Sequence, residues 1–473
     1  MLFNSINFLL FFIIVTVAYF LIPHRFRWLL LLLASCYFYM SFIPVYILIL
    51  GFTIVIDYVA GIYLEKFSGK KRKYFLIASL IANIGVLAVF KYYNFFIDNF
   101  NSLGSWWGMQ GNLPYLGIIL PIGLSFHTFQ AMSYTIEVYR GNQKAEKHFG
   151  IYSLYVMFYP QLVAGPIERP QNLLHQFREK HLFNYDRVLA GLKLMTWGLF
   201  KKVVIADRLS LYTDAVYNNP SQHGGLTIIL ATIFFAFQIY CDFSGYSDMA
   251  IGSARVMGFD LMTNFKMPYF SRSIGEFWKR WHISLSTWFK DYLYIPLGGN
   301  RVAVSRIYFN LLLVFMISGI WHGANWTFVV WGALNGVYLV VEMLFQKVKP
   351  PFLNQPKIKE TGWYIVTSTL LTFTLTCIAW VFFRATSVAD AGLLLKNALQ
   401  FNHAFFSDKT TLSYGFAGLL FLVLIERNME KRKSSLPFEC KHWWLNQWLY
   451  ISLIILILMI GVFDGGQFIY FQF

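Results

Sequence analysis

The sequence is poor in charged residues, which make up only 13% of its 473 residues. A soluble domain carries about 25% charged residues. Hydrophobic residues make up 57% of the chain and aromatic residues 20%, and the mean hydropathy is +0.52. Apolar runs close to the roughly 20 residues needed to cross a bilayer recur from end to end. The scarcity of charge therefore excludes a soluble globular protein and indicates a polytopic membrane protein.

Cysteine is also scarce, and several catalytic signatures are missing. The four cysteines lie mostly in or beside apolar runs, and no two are spaced as CxxC, so they are typical of small buried side chains rather than of disulfides or zinc ligands. The sequence lacks the GxSxG motif of a serine nucleophile and the HExxH motif of zinc enzymes. Neither a GxSxG-type serine nucleophile nor a metal site is expected.

The net charge of +16 comes largely from basic loops between apolar runs. The main loops are residues 65–73, 347–359 and 427–441. The positive-inside rule assigns such loops to the cytoplasm, where they face anionic membrane lipid, and counting spans then puts both termini outside. The sequence contains no nucleic-acid-binding motif, so a nucleic-acid partner is not expected.

The hydropathy pattern predicts an all-α membrane protein with about eleven or twelve transmembrane helices and additional re-entrant or interfacial helices. The predicted spans cover residues 7–21, 28–62 (two spans), 74–89, 116–139, 188–206, 226–240, 307–345 (a hairpin), 363–383, 414–425 and 449–462. Residues 91–114 and 255–306 are expected outside the spans. The segment 158–170 contains three prolines and a glycine, so it cannot form a regular span and is expected to be re-entrant or interfacial.

The chain is expected to form one membrane-embedded domain over residues 1–473. Its motifs concentrate in residues 115–346, and it shows no internal repeat and no soluble domain. The first apolar run has no basic region before it and no small-residue cleavage site after it. We therefore expect a retained first span rather than a removed signal peptide.

The most informative stretch is residues 318–326, SGIWHGANW, which interrupts the apolar run 307–345. Ionisable groups at membrane depth are rare and are candidates for function by default, and His322 is such a group. Glycines bracket it on both sides, so backbone or substrate can approach the ring. Trp321 and Trp326 offer apolar walls with one N–H donor each. The alternative is a structural histidine that donates to a carbonyl of a neighbouring helix.

A second histidine lies in residues 276–291, EFWKRWHISLSTWFKD. At helical spacing the segment carries two neighbouring apolar stripes. One stripe consists of Phe277, Trp281, Leu285 and Trp288, and the other of Trp278, His282, Ser286 and Phe289. His282 is therefore expected to point with the aromatic side chains, away from Lys279 and Arg280, and to be partly buried on a helix.

Two more polar positions lie in or beside apolar runs. His127 follows Pro121 and Ser125 in the run 116–139, and it is a candidate to line a cavity, with a structural role as the alternative. Asp242 follows the predicted span 226–240 in the stretch YCDFSGYSD. Its carboxylate is a candidate for a direct role or for a structural partner of basic or backbone groups.

Several long motifs resemble those of the membrane-bound O-acyltransferase family. They are residues 120–130 (LPIGLSFHTFQ), 165–169 (GPIER), 240–248 (YCDFSGYSD), 277–286 (FWKRWHISLS), 291–300 (DYLYIPLGGN) and 321–326 (WHGANW). Several long motifs in one order are far more specific than a lone short pattern. The chain is most similar to the branch with the alginate O-acetylation and teichoic-acid D-alanyl transfer proteins. Two stretches, IPLGGN at residues 295–300 and FIYFQF at residues 468–473, favour the alginate-type branch.

The resemblance implies that His322 is the catalytic residue and that His282 occupies the second position of the site. Acyl transfer to a hydroxyl needs a base near the operating pH, and a buried, neutral imidazole can accept the proton. Ser286, Asn325 and Trp326 are candidates to donate to the developing oxyanion. The two histidines are expected to line one continuous passage, with three tryptophans narrowing it: Trp278, Trp281 and Trp321.

The resemblance also implies an activity. The expected protein is a multi-pass enzyme of the inner membrane that O-acetylates a secreted or cell-surface polysaccharide, such as alginate. The donor would be a cytoplasmic thioester such as acetyl-CoA, used as a substrate, with no tightly bound cofactor. An extracytoplasmic partner protein of the acetyltransferase type would finish the transfer to sugar. The alternatives are D-alanyl transfer to teichoic acid and, in a different class, a transporter or flippase.

Overall fold

The computed structural model describes residues 1–108, 113–348, 350, 355–401, 404–463 and 468–469. Parts of the predicted basic loop 347–359 and of the C-terminal motif 468–473 lie outside these residues. The regular structure in the described ranges is helical, without a β-strand, which confirms the all-α prediction. The chain divides into two compact units: residues 1–195 with 246–262, and residues 196–245 with 263–473. The prediction of a single domain stays a prediction.

The α-helices fall into a first series up to residue 257 and a second series after it. The first series is α1 (Ile6–Leu21), α2 (His24–Met40), α3 (Ile47–Lys66), α4 (Gly69–Leu87), α5 (Tyr93–Trp106), α6 (Leu124–Arg140), α7 (Phe149–Met157), α8 (Tyr159–Leu162), α9 (Pro170–Leu173), α10 (Tyr185–Phe200), α11 (Asp207–Tyr217) and α12 (Gly225–Met257). The second series is α13 (Ile274–Arg280), α14 (Ile283–Phe289), α15 (Val304–His322), α16 (Trp326–Val348), α17 (Pro356–Lys359), α18 (Gly362–Arg384), α19 (Val388–Asn397), α20 (Lys409–Arg432) and α21 (Trp443–Ile460).

Short 3₁₀ and π stretches adjoin several of these helices. The 3₁₀ turns are Pro44–Tyr46, His175–Arg178 and Pro268–Phe270, and the π segments are Ala88–Tyr92, Lys201–Ala206 and Lys290–Tyr294. The turn Pro44–Tyr46 separates α2 from α3 and so divides the run 28–62 into the two predicted helices.

Eight helical segments of the described chain are long and apolar enough to cross a membrane. They are Pro44–Lys66, Gly69–Trp106, Gly225–Met257, Val304–His322, Trp326–Val348, Gly362–Arg384, Lys409–Arg432 and Trp443–Ile460. The polytopic membrane class is thereby confirmed. The sequence-based number of spans was higher because it also counted shorter helices, such as α1 with 16 residues and α6 with 17.

Two predicted boundaries were wrong because polar side chains that were expected to end a helix find partners elsewhere in the protein. The helical segment that begins at Gly69 continues to Trp106, through most of the predicted loop 91–114. Asn94 on α5 holds the returning chain with both amide atoms, through the N–H and the carbonyl of Leu116. Similarly, α12 runs on to Met257 instead of ending near residue 240, since Asp242 is paired within the protein.

The start of α6 lies later than predicted. Residues 113–123 are not helical, and α6 begins at Leu124. Gly123, directly before the helix, has a φ of +75°, and a Cβ there would lie 2.8 Å from the carbonyl oxygen of Leu162. A left-handed, tightly packed position of this kind favours glycine. The helix therefore begins after the sequence Pro-Ile-Gly rather than at residue 116.

Residues 158–170 do not form a regular helix, as their three prolines and one glycine predicted. The segment consists of the single turns α8 and α9 joined by bends, and its residues from Phe158 to Glu168 are all buried. Irregular backbone at membrane depth is tolerated only where protein or water covers it. The burial of this segment within the first unit provides that cover.

A buried polar cluster joins three helices of the first unit. Asp57 on α3, Ser79 and Asn83 on α4, and Thr135 on α6 are all inaccessible to solvent. The Ser79 hydroxyl donates to Asp57 Oδ1 at 2.5 Å, and the Asn83 amide donates to both carboxyl oxygens at 2.9 Å. Ser79 also lies 3.1 Å from the Thr135 hydroxyl. Interhelical hydrogen bonds of this kind stabilise helix packing inside membranes.

Helices α15 and α16 form the predicted hairpin. The turn covers residues 323–325, so His322 is the last residue of α15. Glycines allow the two backbones to approach: a Cβ on Gly319 would lie 2.2 Å from the carbonyl oxygen of Phe328, and one on Gly332 would lie 2.3 Å from that of Phe315. Small residues at such interfaces are the usual means of close helix packing in membranes. The hairpin therefore holds His322 at a fixed, tightly packed corner.

Candidate active site

The segment that carries His282 is broken at that residue. Helix α13 ends at Arg280, Trp281 is extended, and His282 has a φ of +42° before α14 begins at Ile283. Non-glycine residues rarely adopt this left-handed conformation, which persists only where the surroundings hold it. The chain at residues 264–266 does so: Asn264 accepts from the N–H of Ile283 at 2.9 Å, and Lys266 donates to the carbonyl of Arg280 at 2.9 Å.

The prediction of one continuous helix through residues 276–291 was therefore wrong. The reason is tertiary hydrogen bonding to residues 264–266, which no local helical period reports. The predicted apolar stripe is nonetheless buried at all four positions: Phe277, Trp281, Leu285 and Trp288. His282 is more deeply buried than expected, with no exposed surface.

The ring of His282 is held by one amide and surrounded by aromatic rings. Its Nδ1 lies 3.1 Å from Asn264 Oδ1. Phe243 meets the ring edge-on with 4.6 Å between centroids, and Phe265 and Trp321 lie at 6.3 Å. Burial lowers the pKa of His282 well below its usual range, and the charge of a protonated His322 lowers it further. The neutral imidazole is thus the favoured form.

The ring of His322 is buried at the corner of the α15–α16 hairpin. Its Nδ1 lies 2.6 Å from the carbonyl oxygen of Ser318, one turn earlier. A carbonyl oxygen only accepts, so Nδ1 carries the proton and the neutral ring has its lone pair on Nε2. The ring packs edge-on against three aromatic side chains: Trp321 at 4.9 Å, Trp331 at 4.8 Å and Phe383 at 5.6 Å. His322 thus donates to a carbonyl of its own helix, α15, rather than to one of a neighbouring helix.

Trp321 connects the two histidines, since its indole contacts the rings of both His282 and His322. The two residues are 40 positions apart in the sequence: His282 directly precedes α14, and His322 ends α15. The second unit therefore brings the two predicted catalytic residues to one tryptophan. This arrangement is the geometric basis for treating them as one site.

The second unit contains a cavity of about 430 Å³ that reaches Ser318, one helical turn before His322. Neither His282 nor His322 is among the residues that line it, so the continuous passage lined by both histidines stays a prediction. Trp278 and Ser286 line it, and so does Ser318, whose carbonyl accepts from His322. The lining is largely apolar, but the exposed lysines Lys279 and Lys290 also belong to it. The cavity therefore combines an apolar body with two cationic groups.

The predicted tryptophans have different surroundings. Trp278 is half-buried, lines the cavity and contacts Phe315 at 5.0 Å. Trp281 is fully buried and packs against Trp380 at 5.0 Å, and it is not among the residues that line this cavity. Trp281 therefore belongs to the aromatic core beneath the site.

Two of the predicted oxyanion donors, Ser286 and Asn325, also have different surroundings. Ser286 lines the cavity, and its hydroxyl donates to the carbonyl oxygen of Trp281 at 3.3 Å. Asn325 lies in the hairpin turn, where its Nδ2 donates to the carbonyl of Thr386 and its Oδ1 accepts from the N–H of Thr327 at the start of α16. Both atoms of the Asn325 amide are thus engaged in holding the turn.

Asp242 lies on α12 in a buried ion cluster. Its Oδ1 is 2.7 Å from Lys202 Nζ, which is also 2.7 Å from Asp207 Oδ1. Its Oδ2 accepts from the N–H of Ile469 at 2.7 Å. These contacts correspond to the structural alternative considered for this carboxylate, a partner of basic and backbone groups.

His127 belongs to the first unit, on α6, and is buried there. It lies next to the tightly packed start of that helix at Gly123. Among the described residues no group of three or more histidine, cysteine, aspartate or glutamate side chains is arranged to hold a metal ion.

Sequence reasoning missed Asn264 and Ser318. Asn264 supports the ring of His282 from 18 positions earlier, and no motif or period links the two. Ser318 acts through its backbone carbonyl, so its side chain gives no signal. The four-residue spacing from Ser318 to His322 on a helix is the one pattern that could have suggested that contact.

Comparison with known proteins agrees with this architecture. The model of the membrane-bound O-acyltransferase (MBOAT) family matches residues 142–383, which include His282 and His322. The chain is 39% identical to the probable alginate O-acetylase of Pseudomonas aeruginosa, over 90% of this chain and 81% of that protein. It is 37% identical to the peptidoglycan O-acetyltransferase of Helicobacter pylori, over 79% and 73%. It is 26% identical to the teichoic acid D-alanyltransferase of Bacillus subtilis, over 58% and 71%.

The chain therefore belongs to the membrane-bound O-acyltransferase family, and it is a multi-pass membrane O-acyltransferase. The resemblance identified from the motifs and the predicted enzyme class are both confirmed. The alternative of a transporter or flippase has no support in these relatives, which are named for acyl transfer.

Proposed function

We propose that this enzyme O-acetylates a secreted or cell-surface polysaccharide, with His322 as the catalytic base, in the inner membrane. The observation that carries the proposal is the buried His322 ring, whose Nδ1–H is committed to the carbonyl of Ser318 at 2.6 Å. That bond fixes the tautomer with a lone pair on Nε2, as a general base requires. The same tryptophan ring contacts His322 and His282.

The proposed step is direct transfer from a thioester. His322 Nε2 accepts the proton of the acceptor hydroxyl as the hydroxyl oxygen attacks the thioester carbonyl carbon. The tetrahedral intermediate collapses with cleavage of the C–S bond, and the proton passes from His322 to the departing thiolate. The products are an O-acyl ester and a free thiol, so atoms and charge balance without a metal or a redox partner.

The cavity that reaches Ser318 supports an anionic donor with a long, largely apolar arm. Lys279 and Lys290 provide cationic groups for phosphate oxygens, and the apolar lining leads to Ser318. Acetyl-CoA, used as a substrate from the cytoplasmic side, has this chemistry. The acceptor hydroxyl would then arrive from the opposite side through a passage lined by the two histidines. Such a passage moves an acyl group across the membrane without moving its charged carrier.

The relatives support acetyl as the transferred group and a polysaccharide as the acceptor. Two proteins at 37% and 39% identity are named for O-acetylation of peptidoglycan and alginate. The D-alanyl alternative rests on a relative at 26% identity and is the weaker one. An extracytoplasmic partner protein that completes transfer to the sugar is part of the proposal. The resemblance to the alginate O-acetylation branch implies such a partner.

The test is the variant His322→Ala, with the exposed His442→Ala as a matched control. In cells that depend on this enzyme, His322→Ala should lower the rate of polysaccharide O-acetylation by about 10²–10⁴-fold, the contribution typical of a general base. The O-acetyl content of the polysaccharide should fall accordingly. Immunoblots of membrane fractions should show equal amounts of both variants. Near-normal acetylation by His322→Ala would refute the proposal.

A further inference from the structure

Asn264 is the residue on which the geometry of His282 depends. Its side chain is completely buried, as are those of His282 and Ser284. Asn264 makes two kinds of contact with the break between α13 and α14. Its amide oxygen lies 3.1 Å from His282 Nδ1, and its backbone carbonyl accepts from the N–H of Ile283 at 2.9 Å. One residue thus holds both the ring of His282 and the backbone that follows it.

The orientation of the Asn264 amide follows from one obligatory donor, the backbone N–H of Ser284. The backbone N–H of Ser284 donates to Oδ1 at 3.3 Å, and the Ser284 hydroxyl donates to the same oxygen at 2.9 Å. A backbone N–H cannot accept, so the atom facing this corner must be the amide oxygen rather than the nitrogen. His282 Nδ1 therefore has to be the donor in its contact with Asn264.

We propose that Asn264 is a positioning residue that fixes His282 in the Nδ1–H tautomer, so that His282 meets the substrate as a hydrogen-bond acceptor. The use of His282 in acyl transfer rests on the function proposed above, whereas the tautomer rests on the contacts of Asn264 alone. His322 has the same tautomer, because Ser318 accepts from its Nδ1. Both neutral rings therefore carry their lone pair on Nε2.

This shared tautomer has a chemical consequence. A neutral histidine that donates from Nε2 could stabilise an oxyanion, but a ring whose proton is on Nδ1 cannot do so. His282 is instead suited to accept from a substrate donor, either the hydroxyl of the acceptor or an amide N–H of the donor's arm. Its task is then to orient a reacting group, while His322 takes the proton.

The tautomer can be measured without an activity assay. Full-length protein labelled with ¹⁵N-histidine, reconstituted in lipid nanodiscs, gives imidazole nitrogen shifts that distinguish Nδ1–H from Nε2–H. The His282 signals are identified by their loss in His282→Gln. We expect Nδ1–H in the unaltered protein and in Asn264→Asp, which keeps an oxygen acceptor. An Nε2–H signal for His282 in the unaltered protein would overturn the proposal.

Three variants test the positioning role. Asn264→Leu has a similar size but no acceptor, and it should release the tautomer and lower the acetylation rate by about ten- to a hundredfold, the loss that follows removal of the hydrogen-bond partners of metal-bound histidines. Asn264→Asp should keep much of the activity. Ser284→Ala removes only a second donor to the same oxygen, 3.5 Å from His282 Nδ1, and should keep both tautomer and rate.

The outcomes separate this inference from the proposed function. Full activity of Asn264→Leu beside a loss of activity in His282→Ala would refute the positioning role. Full activity of His282→Ala would instead refute the use of His282 in catalysis, and the tautomer would still be decided by the spectra. If Asn264→Leu does not reach the membrane, the spectra of the unaltered protein and of Asn264→Asp decide.

Discussion

Gly319 on α15 and Phe328 on α16 pack so closely that a Cβ on the glycine would lie 2.2 Å from the phenylalanine carbonyl oxygen. No flexible side chain can yield at this contact, because the opposing atom belongs to backbone. His322 lies one helical turn after Gly319 and ends α15. The position of the proposed base is therefore coupled to the closeness of this helix pair.

The variant Gly319→Ala should separate the two helices and shift His322. We expect a loss of stability of about 1–3 kcal/mol from overpacking, together with a marked loss of acetylation. Thermal unfolding in detergent and polysaccharide O-acetyl content measure the two effects. The control is Gly85→Ala on α4, where a Cβ meets nothing within 4 Å and alanine should be neutral or stabilising. Equal unfolding temperatures and equal O-acetyl contents for Gly319→Ala and Gly85→Ala would contradict the close contact between α15 and α16.

The buried cluster around Asp57 should stabilise the first unit through hydrogen bonds rather than charge. Asp57→Asn keeps groups that can bond with Ser79 and Asn83, so it should unfold near the normal temperature. Asp57→Leu removes the carboxyl acceptor that both buried donors share, at a cost of about 1–3 kcal/mol. Unfolding midpoints of the purified protein measure the difference. An Asp57→Leu protein as stable as the Asp57→Asn protein would show that the cluster contributes little.

The Asp57 interaction with Ser79 can be isolated by a double-mutant cycle. Ser79→Ala alone removes the donor that lies 2.5 Å from Asp57 Oδ1. If the two side chains act as one network, Asp57→Leu should cost less in the Ser79→Ala background than in the unaltered protein. Additive effects would mean that the two residues act independently.

The sequence predicted the parts of the fold that depend on local pattern. The hairpin around His322 and the irregular segment 158–170 follow from apolar length, glycine and proline. The four buried positions of the stripe from Phe277 to Trp288 follow from helical spacing. These features are decided within a few neighbouring residues, and a single sequence contains that information.

The features that were missed depend on distant partners. No glycine or proline marks the helix break at His282 in the sequence. The break is held by hydrogen bonds to residues 264–266, which are distant in the sequence. The extension of α12 through Asp242 is possible because Lys202 neutralises that carboxylate. Tertiary contacts of this kind override local propensity, and no periodicity in one sequence reports them.

The two lysines of the cavity should contribute to binding an anionic donor. Replacing both in Lys279→Gln/Lys290→Gln should raise the KM for acetyl-CoA several-fold and change kcat little, because exposed charge pairs contribute about 0.2–1 kcal/mol each. Initial rates in membrane vesicles with labelled acetyl-CoA give both constants. The control Lys357→Gln removes an exposed charge that does not line the cavity. High salt should reduce the difference from the unaltered enzyme.

The prediction for the donor site can also fail in an informative way. An unchanged KM in the double variant would exclude these lysines from the donor site. A fall in kcat at constant KM would instead assign them to the chemical step or to its geometry.

The basic loops should face the cytoplasm. In a background without native cysteines, Ser68→Cys lies at the exposed loop before α4, and Ser105→Cys lies near the far end of the same 38-residue helical segment. A membrane-impermeant thiol reagent added to intact cells should label Ser105→Cys but not Ser68→Cys. Labelling of Ser68→Cys from outside would reverse the orientation and the side from which the donor arrives.

The two histidines should contribute unequally. His322→Ala removes the proposed base, whereas His282→Ala removes a group that orients a substrate, so the rate should fall strongly in both and further in His322→Ala. Membrane vesicles with matched protein levels measure the two rates, with His442→Ala as the control. Because both rings contact Trp321, the double variant should be scarcely slower than His322→Ala alone, as expected for residues that act as one unit. Multiplied effects in the double variant would indicate that the two residues act independently of each other, and an unchanged rate in His282→Ala would remove that residue from the site.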